Sequence, residues 1–569
     1  MTENYKIIDG VGYIPEGETS VGGFMGKDSL QKIDIPEGVT VIRKNAFVCC
    51  HNLREVKLPE SLEVIEENAF RVCTGLKEIK LPESLKVIEE SAFRDCTSLR
   101  EIKFPESLEV IEDFAFQDCR SLKKIFIPKN VKKIDRAFIY CSLTEIRVDP
   151  ENMLYDSRDN CNAIISTRTS TLIAGCGSTV IPDNVVSIGA EAFRGCDNLK
   201  KIEIPDSIVK IIGDTFMDCP ELEELFLPKS VVEIGGGIVA GCPKLSSIKV
   251  DERNPIFDSR EDCNAIIVRK EKGDELIASC SKTVIPTSVK FLESESFMGT
   301  VIPEIKVPDN IELIGFSTFG EIKAPVKVVL SKGMTRINGR AFKRSPGLMA
   351  VEIPDSVKRI GDHSFFKCSG LKEVKIPESV EIIDHDAFHG CSSLEEIVIP
   401  DSVEKVDILA FKQCSSLKRV KISSNMRIID VGVFSECSAL KSLVIPEGIT
   451  EIKYCAFENC KSLEELEIPA SVEFIREEAF SGCTALKHVT IKCPIRINHS
   501  ILPLNENPGI KTITFGENVK VSKQGFWEDS EEWTQNLEAI YVPVNCLKYY
   551  KGRTPKSLHH LIKELPSEE

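Results

Sequence analysis

Apolar and polar residues follow one another in a pattern that returns every 23 residues over most of the chain. In the copy that begins at Leu76, the apolar residues are Leu76, Ile79 and Leu81, and the polar residues Glu78 and Lys80 lie between and beside them. Alternation with a period of two is typical of a short β-strand with one face turned inward. The pattern therefore predicts one short strand, here called the first strand, in each repeat.

The remainder of the repeat predicts two further segments. Pro82 has no amide hydrogen to donate, so it ends the first strand. Leu85 and Ile88 then turn inward along a second, shorter extended segment, and residues 91–96 follow as a tight helical turn. Within that turn, Phe93 is expected to fill the interior of the molecule.

A proline follows the first strand in most copies and makes the period easy to recognise. It stands at Pro36, Pro59, Pro82, Pro105, Pro128, Pro182, Pro205, Pro228, Pro354, Pro377, Pro400, Pro446 and Pro469. A fixed period of this length indicates a stacked solenoid, in which each unit covers the apolar edges of its neighbours. The expected fold is β-rich, with a long parallel sheet on one face and short extended segments and helical turns on the other.

Many of the 22 cysteines occupy one position of the repeat. They are Cys50, Cys73, Cys96, Cys119, Cys141, Cys196, Cys219, Cys242, Cys368, Cys391, Cys414, Cys437, Cys460 and Cys483. Neighbouring copies would lie about 4.8 Å apart with parallel side chains, whereas a disulfide needs a bent geometry and Cβ atoms about 3.8 Å apart. We therefore expect buried thiols that act as small apolar spacers.

The cysteine position changes between residues 286 and 348, where Thr300, Ile322 and Ser345 replace it. The phenylalanine of the turn persists there as Phe297, Phe319 and Phe342. The solenoid is therefore expected to continue through this stretch.

Two similar insertions interrupt the period, at residues 148–178 and 250–282. Each contains two apolar segments joined by a turn, which predicts a β-hairpin inserted into a repeat. Pairing Ile165 with Leu172 would place Ala163 opposite Ala174.

The same register would place Cys161 opposite Cys176, and by the same logic Cys263 opposite Cys280. Two interpretations remain open for these cysteines. They are small core residues on the flank of the solenoid, or they form cross-strand disulfides if the protein is exported.

Acidic residues cluster in both insertions and could supply oxygen ligands to calcium. The clusters are Asp156, Asp159 and Asn160, and their twins Asp258, Glu261 and Asp262. Because the spacing and the glycine of an EF-hand are absent, an aspartate-rich turn is the favoured interpretation.

These features divide the chain into seven segments. In order, they are an N-terminal cap (1–29), repeats (30–147), a hairpin insertion (148–178), repeats (179–249), a second hairpin insertion (250–282), repeats (283–492), and degenerate repeats with a C-terminal cap (493–569). In the last segment, residues 537–543 are expected to form the final strand. Asn545 is expected to cap a short helix that runs through Lys551 and ends at Gly552.

The repeat Ile-Pro-x-Ser-Val-x-x-Ile-x-x-x-Ala-Phe-x-x-Cys-x-x-Leu resembles the BspA-type leucine-rich repeat family. Close copies stand at residues 59–76, 82–99, 377–394 and 469–486, and the resemblance covers roughly residues 30–545. It implies a curved leucine-rich repeat solenoid that binds a protein or a surface ligand. Members of the family are typically bacterial or protozoan surface proteins, often implicated in adhesion to host proteins.

Composition and charge narrow the function further. The chain is 42% hydrophobic and 28% charged, as expected for a folded protein, and its formal net charge is −16. This charge argues against nucleic acid and anionic membranes as partners, because both attract basic surfaces. The N-terminal residues lack the apolar segment of a secretory signal, and no apolar run is long enough to cross a membrane. We therefore expect a cytoplasmic protein, while the family resemblance implies the cell surface or secretion as the alternative.

No sequence motif indicates catalysis or a cofactor. The chain has no glycine-rich phosphate loop, no nucleophile elbow and no metal-binding Cys-x-x-Cys pair. His385 and His389 are four residues apart and stand near Asp386 and Cys391, which suggests a metal site. Because Cys391 belongs to the cysteine column of the repeat, we expect neither a metal site here nor an enzyme.

The outward positions of the first strands are the best place to look for a binding site. Most carry charges, which can pair with one another on a solvated face. The apolar exceptions are the candidate partner-binding residues Phe126, Phe226, Val398, Val444 and Tyr541. Aromatic residues among paired charges suit an interface, although Phe126 and Phe226 could instead pack under a flanking loop.

The sequence thus favours a non-catalytic protein-interaction scaffold that uses the sheet face as its binding platform. The alternative is an exported adhesin or host-interaction protein of the BspA type.

Overall fold

The computed structural model describes residues 5–494, 496–497, 506–517, 519–521 and 534–566. Two compact units make up the chain. Unit 1 contains residues 1–271 and 276–284, and unit 2 contains residues 272–275 and 285–569. Each unit is a β-solenoid of short and mostly parallel strands, as the 23-residue period predicts.

In unit 1 the first strands pair in parallel, and each residue lies beside its equivalent in the next turn. Ile33, for example, pairs with Val56. Within Glu55–Lys57 the central Val56 is buried and both charged neighbours are exposed, so the predicted alternation is confirmed. The first strands of this unit are Val11–Tyr13, Lys32–Asp34, Glu55–Lys57, Glu78–Lys80, Glu101–Lys103, Lys124–Ile127, Glu145–Val148, Glu224–Leu227 and Ser247–Val250.

Unit 1 also contains a row of two-residue strands, which we call the second strands. They pair in parallel with one another from turn to turn. Ile65 pairs with Ile88, which in turn pairs with Ile111. These strands are Ser20–Val21, Val41–Ile42, Val64–Ile65, Val87–Ile88, Val110–Ile111, Lys133–Ile134, Ser187–Ile188, Lys210–Ile211 and Glu233–Ile234.

Unit 2 repeats both rows. Its first strands are Glu304–Lys306, Val326–Val329, Leu348–Glu352, Glu396–Val398, Arg419–Lys421, Glu465–Ile468, His488–Ile491, Thr512–Phe515 and Ala539–Val542. Its second strands are Val289–Leu292, Leu313–Ile314, Arg336–Ile337, Arg359–Ile360, Ile382–Ile383, Lys405–Val406, Ile428–Ile429, Glu451–Ile452, Phe474–Ile475, Arg496–Ile497 and Lys520–Val521. We call the exposed side of the first strands the strand face.

The segment after each second strand forms what we call the turn edge. In one copy, Ser91 and Asp95 have positive φ angles of 57° and 62°, so this segment is a series of hydrogen-bonded turns rather than continuous helix. The amides of Ser91, Phe93 and Asp95 donate to carbonyl oxygens of the following turn, over 3.1, 2.8 and 2.8 Å. The turn edge is therefore a third hydrogen-bonded column, and it holds successive turns in one register.

Buried phenylalanines stack in a column behind the turn edge. In unit 1 the ring centroids of Phe24, Phe47, Phe70 and Phe93 are 5.3, 5.0 and 5.2 Å apart in succession. Separations of this size are typical of stabilising aromatic pairs. The predicted continuation through residues 286–348 is confirmed in unit 2, where the successive ring distances from Phe297 through Phe319 and Phe342 are 5.5 and 5.2 Å.

The column cysteines are buried free thiols, as expected, but they are more than apolar spacers. Cys96 Sγ lies 3.1 Å from the carbonyl oxygen of Phe70, and Cys414 Sγ lies 3.3 Å from that of Phe388. In each case the thiol donates to the phenylalanine 26 residues earlier. Ser345, which replaces the cysteine, donates to Phe319 O over 2.7 Å.

Both insertions contain antiparallel strand pairs, and the predicted hairpin pair is antiparallel in the first insertion. The strands are Tyr155–Asp156, Ile164–Ser166 and Thr171–Ala174 in the first insertion, and Phe257–Asp258, Ala265–Val268 and Asp274–Ser279 in the second. Short 3₁₀ turns lie between the first two strands of each set, at Arg158–Asn160 and Arg260–Asp262.

The predicted register of the first hairpin is right at one end and wrong at the other. Ile165 pairs with Leu172 as predicted, but a β-bulge then brings Ile164, and not Ala163, opposite Ala174. The extra residue shifts the register beyond this point. The predicted placement of Cys161 opposite Cys176 therefore no longer follows from the pairing of Ile165 with Leu172. All four hairpin cysteines are free thiols.

Each insertion contains one buried asparagine that bonds to a preceding turn of unit 1. The side-chain amide of Asn152 donates to Pro128 O and Val131 O over 2.8 and 3.1 Å, and its oxygen accepts from the amides of Leu154 and Tyr155 over 2.9 Å. Asn254 makes the equivalent four bonds in the second insertion.

The ordered turns begin earlier than residue 30. Ser20–Val21 already pairs with Val41–Ile42, and Tyr5 stacks on Phe24 with a centroid distance of 5.1 Å. The predicted boundary at residue 29 therefore falls inside the ladder. An antiparallel strand, Lys6–Ile8, pairs with Val11–Tyr13.

The C-terminal prediction is partly wrong. Ala539–Val542 is a strand, but it is followed by a further parallel strand, Ile562–Glu564. The short helix spans Leu547–Lys551 and ends at Gly552, yet its N-cap is Cys546 and not Asn545, which has a φ of 64°. Two 3₁₀ segments, Thr534–Asn536 and Lys556–Leu561, complete this region.

Candidate partner-binding surface

Charged residues on the strand face pair with one another between adjacent turns. In unit 1, Lys32 Nζ lies 2.6 Å from Glu55 and Lys124 Nζ lies 2.7 Å from Glu145. In unit 2, Arg419 lies 2.6 Å from Glu396. Exposed pairs of this kind contribute at most about 1 kcal/mol each, so they keep the face polar without adding much to stability.

Phe126 interrupts this charged surface in unit 1. It lies on Lys124–Ile127, whose backbone pairs with Glu145–Val148 so that Phe126 stands beside Arg147. The phenylalanine is 45% exposed, whereas its neighbours Ile125 and Ile127 are buried. This exposure of Phe126 does not favour the alternative in which the ring packs under a flanking loop.

Phe226 occupies the equivalent place in another turn of unit 1. It stands beside Lys249 in the parallel pairing of Glu224–Leu227 with Ser247–Val250, and it is 50% exposed. Each phenylalanine thus combines an exposed ring with a cationic neighbour. A cation beside an aromatic ring suits a partner that offers both apolar area and acidic groups.

The candidate residues of unit 2 have different surroundings. Val398 and Val444 are exposed and lie on either side of Lys421 in the parallel register. Tyr541 is only partly exposed, and its backbone pairs with Thr514 on one side and Lys563 on the other. The terminal strand Ile562–Glu564, which the sequence analysis missed, therefore adjoins Tyr541.

A groove of about 710 Å³ opens on the strand face of unit 2 beside Val398. Its walls include the charged residues Lys327, Glu352 and Glu396. Lys327 and Glu352 form an ion pair of 2.6 Å across it. The groove is open to solvent, and its walls carry more acidic than basic side chains.

A further apolar stripe in unit 1 escaped the sequence analysis. Val186, Val209 and Val232 stand 23 residues apart and are 41%, 45% and 49% exposed. Earlier turns carry an ion pair at this position, for example Lys86 with Glu63 at 3.1 Å. The spacing of these valines was visible in the sequence. Their exposure was not, because it depends on the orientation of the second strand that follows each valine.

The acidic clusters of the insertions bind arginine side chains. Asp156 accepts two hydrogen bonds from the guanidinium of Arg158, over 2.8 and 2.6 Å, and Asp258 does the same for Arg260 and also binds Arg269. Asp156 and Asp258 are therefore each paired with a guanidinium group within the insertion. Such local pairing favours the aspartate-rich turn.

The cysteine of the suspected metal motif lies away from the histidines. Cys391 is buried and donates to Phe365 O over 3.2 Å. His389 Nδ1 instead lies 2.5 Å from Asp386 Oδ1, and its Nε2 lies 3.2 Å from Gln413 Oε1. The spacing in the sequence therefore suggested a site made of a thiol and two histidines, but in the structure the thiol and the histidines contact different partners.

Comparisons with known proteins are consistent with this architecture. A family model described as BspA type leucine rich repeat region (6 copies) matches residues 19–147, 174–260, 290–418 and 408–533, which is well over half of the chain. No curated protein matches significantly. Among the described residues, no helix combines the length and the apolar character that crossing a bilayer requires.

Several solved bacterial structures are also similar to the chain. A leucine rich cell surface protein from Faecalibacterium prausnitzii A2-165 is 21% identical, and the match covers 71% of this chain and 82% of that one, with a TM-score of 0.33. A leucine-rich repeat protein from Bacteroides ovatus ATCC 8483 is 21% identical over 83% of this chain and 97% of that one, with a TM-score of 0.32. One from Eubacterium ventriosum ATCC 27560 is 20% identical over 68% and 92%, with a TM-score of 0.38.

Proposed function

The chain belongs to the BspA-type leucine-rich repeat family, and we propose that it is a non-catalytic scaffold that binds a protein partner on its strand face. The observation that carries this proposal is the presence of two half-exposed phenylalanines, Phe126 and Phe226, on a surface of mostly charged residues. Each stands beside a basic residue, Arg147 or Lys249.

Burial of these two rings by a partner would supply binding free energy. A few aromatic anchors usually provide most of the binding free energy of an interface, while the surrounding charges set orientation. Neither ring contributes fully to the core, because about half of each remains in water. A partner with an apolar pocket and acidic groups at its rim would bury the rings and meet the adjacent cations.

Val398, Val444 and Tyr541 are proposed as secondary contacts in unit 2. Val398 borders the groove of about 710 Å³, and Val444 is 77% exposed. Tyr541 is the weakest of the three candidates, since it is already half-buried.

Affinity capture from the native host and its surroundings tests the proposal. Immobilised wild-type protein is compared with the double variant Phe126→Ser/Phe226→Ser, and bound proteins are quantified by mass spectrometry. We expect the partner to be lost from the variant, whose circular dichroism and unfolding midpoint stay close to wild type. The double variant Val180→Ser/Val284→Ser is a matched control, because both valines are exposed but lie outside the strand face.

Equal recovery of the same proteins on all three columns would refute the role of the two phenylalanines. Loss of binding in the valine variant alone would place the contact elsewhere on unit 1.

The second candidate function is an exported adhesin or host-interaction protein, which family membership favours. The cytoplasmic location expected from the N-terminal sequence remains a prediction. Protease treatment of intact cells followed by fractionation distinguishes the two. Digestion of the protein on intact cells would support the adhesin, and full protection together with recovery in the soluble fraction would support the internal scaffold.

A further inference from the structure

Two adjacent turns of unit 2 carry histidine and aspartate at the same two positions in opposite order. One turn has Asp362 followed by His363, and the next has His385 followed by Asp386. Because the turn edge brings each residue beside its equivalent 23 positions later, His385 follows Asp362 and Asp386 follows His363 along the column. The result is an alternating square of carboxylates and imidazoles.

Three sides of this square are contacts between polar atoms. His363 Nδ1 lies 2.8 Å from Asp362 Oδ1, and His363 Nε2 lies 3.4 Å from Asp386 Oδ2. His385 Nε2 lies 2.8 Å from the same Asp386 oxygen. Potential ligand atoms of Asp362, His363 and His385 all lie within 4.8 Å of one another.

The backbone fixes these positions. His363 and Asp386 both adopt positive φ, at 54° and 53°, and the amide of His363 donates to His385 O over 2.9 Å. The amide of Asp386 donates to Ile408 O over 3.1 Å. The two turns therefore hold their side chains without a flexible loop, which favours a preorganised site.

Burial is graded across the cluster. The Asp386 side chain is 8% exposed, His363 is 22% exposed and His385 is 42% exposed. On its inner side, Asp386 Oδ1 contacts His389, which also contacts Gln413. The cluster thus has a buried, oriented carboxylate at its base and an imidazole open to solvent at its rim, so an ion could enter from the His385 side.

We propose that this cluster binds a divalent transition-metal ion of the zinc class. His363 Nε2, His385 Nε2 and Asp386 Oδ2 are the ligands, and the position facing solvent is left for water or a ligand from a partner. Asp362 is a positioning residue, since it accepts from Nδ1–H of His363 and so leaves Nε2 free to coordinate. A carboxylate that holds the far nitrogen of a ligating histidine is a common feature of zinc sites.

The two distances from Asp386 Oδ2 to the histidine nitrogens are close to those of a zinc site. Ligands bonded at about 2.1 Å to a tetrahedral zinc ion are about 3.4 Å from one another. His363 Nε2 is already 3.4 Å from Asp386 Oδ2, whereas the 2.8 Å contact of His385 must lengthen slightly. His385 is the most exposed of the three, so it has room to make this adjustment. Two imidazole nitrogens and one carboxylate oxygen are a donor set that zinc, cobalt and nickel accept.

Metal titration of the full chain, produced without a histidine tag and treated first with a chelator, tests the proposal. The probes are Zn²⁺ by calorimetry and Co²⁺ by visible absorption. We expect one equivalent to bind, with Co²⁺ d–d bands and no thiolate charge-transfer band. His363→Gln and His385→Gln should each abolish this binding, and Asp362→Asn should weaken it by about tenfold to a hundredfold while keeping the same Co²⁺ spectrum.

The matched control is His51→Gln. His51 and Asp28 form an exposed pair with an Nδ1–Oδ1 distance of 2.8 Å, also 23 residues apart, but the pair stands in unit 1 without a second histidine. This variant should bind metal as the wild type does. Circular dichroism and the unfolding midpoint of each variant establish that it is folded.

Three outcomes would overturn the proposal. The first is no binding of either ion to the wild-type chain. The second is unchanged stoichiometry and affinity in the double variant His363→Gln/His385→Gln, and the third is a thiolate band, which would assign the ion to cysteine. Any of them would leave the cluster as a set of polar contacts that joins two turns.

Discussion

The thiol of Cys96 donates a hydrogen bond to the main-chain oxygen of Phe70, 3.1 Å away in the preceding turn. Phe70 O also accepts from the amide of Cys73 at 3.2 Å, within its own turn. The thiol thus uses the second lone pair of a buried carbonyl. Because the same bond recurs at most cysteines of the column, these cysteines link their turns to the turn before.

Replacing Cys96 tests the value of this bond. We expect Cys96→Ala to lower the free energy of unfolding of its region by about 1–2 kcal/mol, because it removes a hydrogen bond and a buried side chain. Cys96→Ser should cost less, since Ser345 makes the same bond in unit 2. Urea midpoints monitored by circular dichroism measure both. Cys49→Ala, at a partly exposed neighbouring position, is the control; a serine variant no more stable than the alanine variant would contradict the role of the donor.

Thiol reactivity should differ between the buried column cysteines and the partly exposed cysteines. Burial raises the pKa of Cys96, Cys368 and Cys414 to about 12, and the thiolate is the reactive form. Iodoacetamide at pH 8 should therefore modify the partly exposed Cys49 and Cys546 first. Peptide mass spectrometry of a time course measures this order, and rapid alkylation of the column in folded protein would show that it opens.

Cys455 should react with iodoacetamide at an intermediate rate. Its burial and the nearby carboxylates of Glu458 and Glu478 raise its pKa to about 11, although the residue is partly exposed. At pH 8 it should react more slowly than Cys49, and Glu478→Gln should accelerate it.

Stability should fall in alkaline solution. The pKa of a column thiol such as Cys414 is raised to about 12 in the folded chain from 9.0, so above pH 9 only the unfolded chain loses the proton. The stabilisation is complete below pH 9 and is lost as the pH rises towards 12, by about 1.4 kcal/mol per pH unit for each thiol.

A triple variant isolates this contribution. Cys391, Cys414 and Cys437 are adjacent column residues whose pKa values are all raised by burial. Changing all three to serine should make the urea midpoint less sensitive to pH between 7.5 and 10. Identical pH dependence in the wild type and the variant would show that other groups dominate.

The first hairpin should depend on Asn152. Asn152→Asp replaces two donated hydrogen bonds by repulsion between a buried carboxylate and the oxygens of Pro128 and Val131. We expect a loss of about 2–4 kcal/mol and faster tryptic cleavage after Arg158. Asn130→Asp is the matched control, because Asn130 is exposed and makes one such bond, to Glu106 O. Equal cleavage rates in the two variants would refute the role of Asn152.

Local periodicity accounts for the parts of the fold that were predicted. Alternation around Val56 gave the first strands, and the proline spacing gave the length of each turn. The exposure of Phe126 and Phe226 also follows from alternation, since their strand neighbours are buried. Such patterns depend on residues close together in the chain.

The features that the sequence analysis missed or predicted wrongly have a different physical origin. The bulge at Ile164, the strand Ile562–Glu564 and the cap at Cys546 depend on which backbone groups find partners in a neighbouring turn. The histidine pattern suggested Cys391 as a neighbour of His385, whereas the fold brings His363 and Asp362 to it from the previous turn.

By itself the sequence determined the 23-residue unit, its strands, its apolar interior and its family, because these are properties of spacing along one chain. Tertiary structure alone decided that the cysteines are hydrogen-bond donors and that a buried asparagine of each insertion bonds to a preceding turn. It also decided that two histidines and two aspartates meet at the turn edge. The reason is that these contacts join atoms some 20 or more residues apart. They are defined only when stacking has fixed the register of one turn against the next.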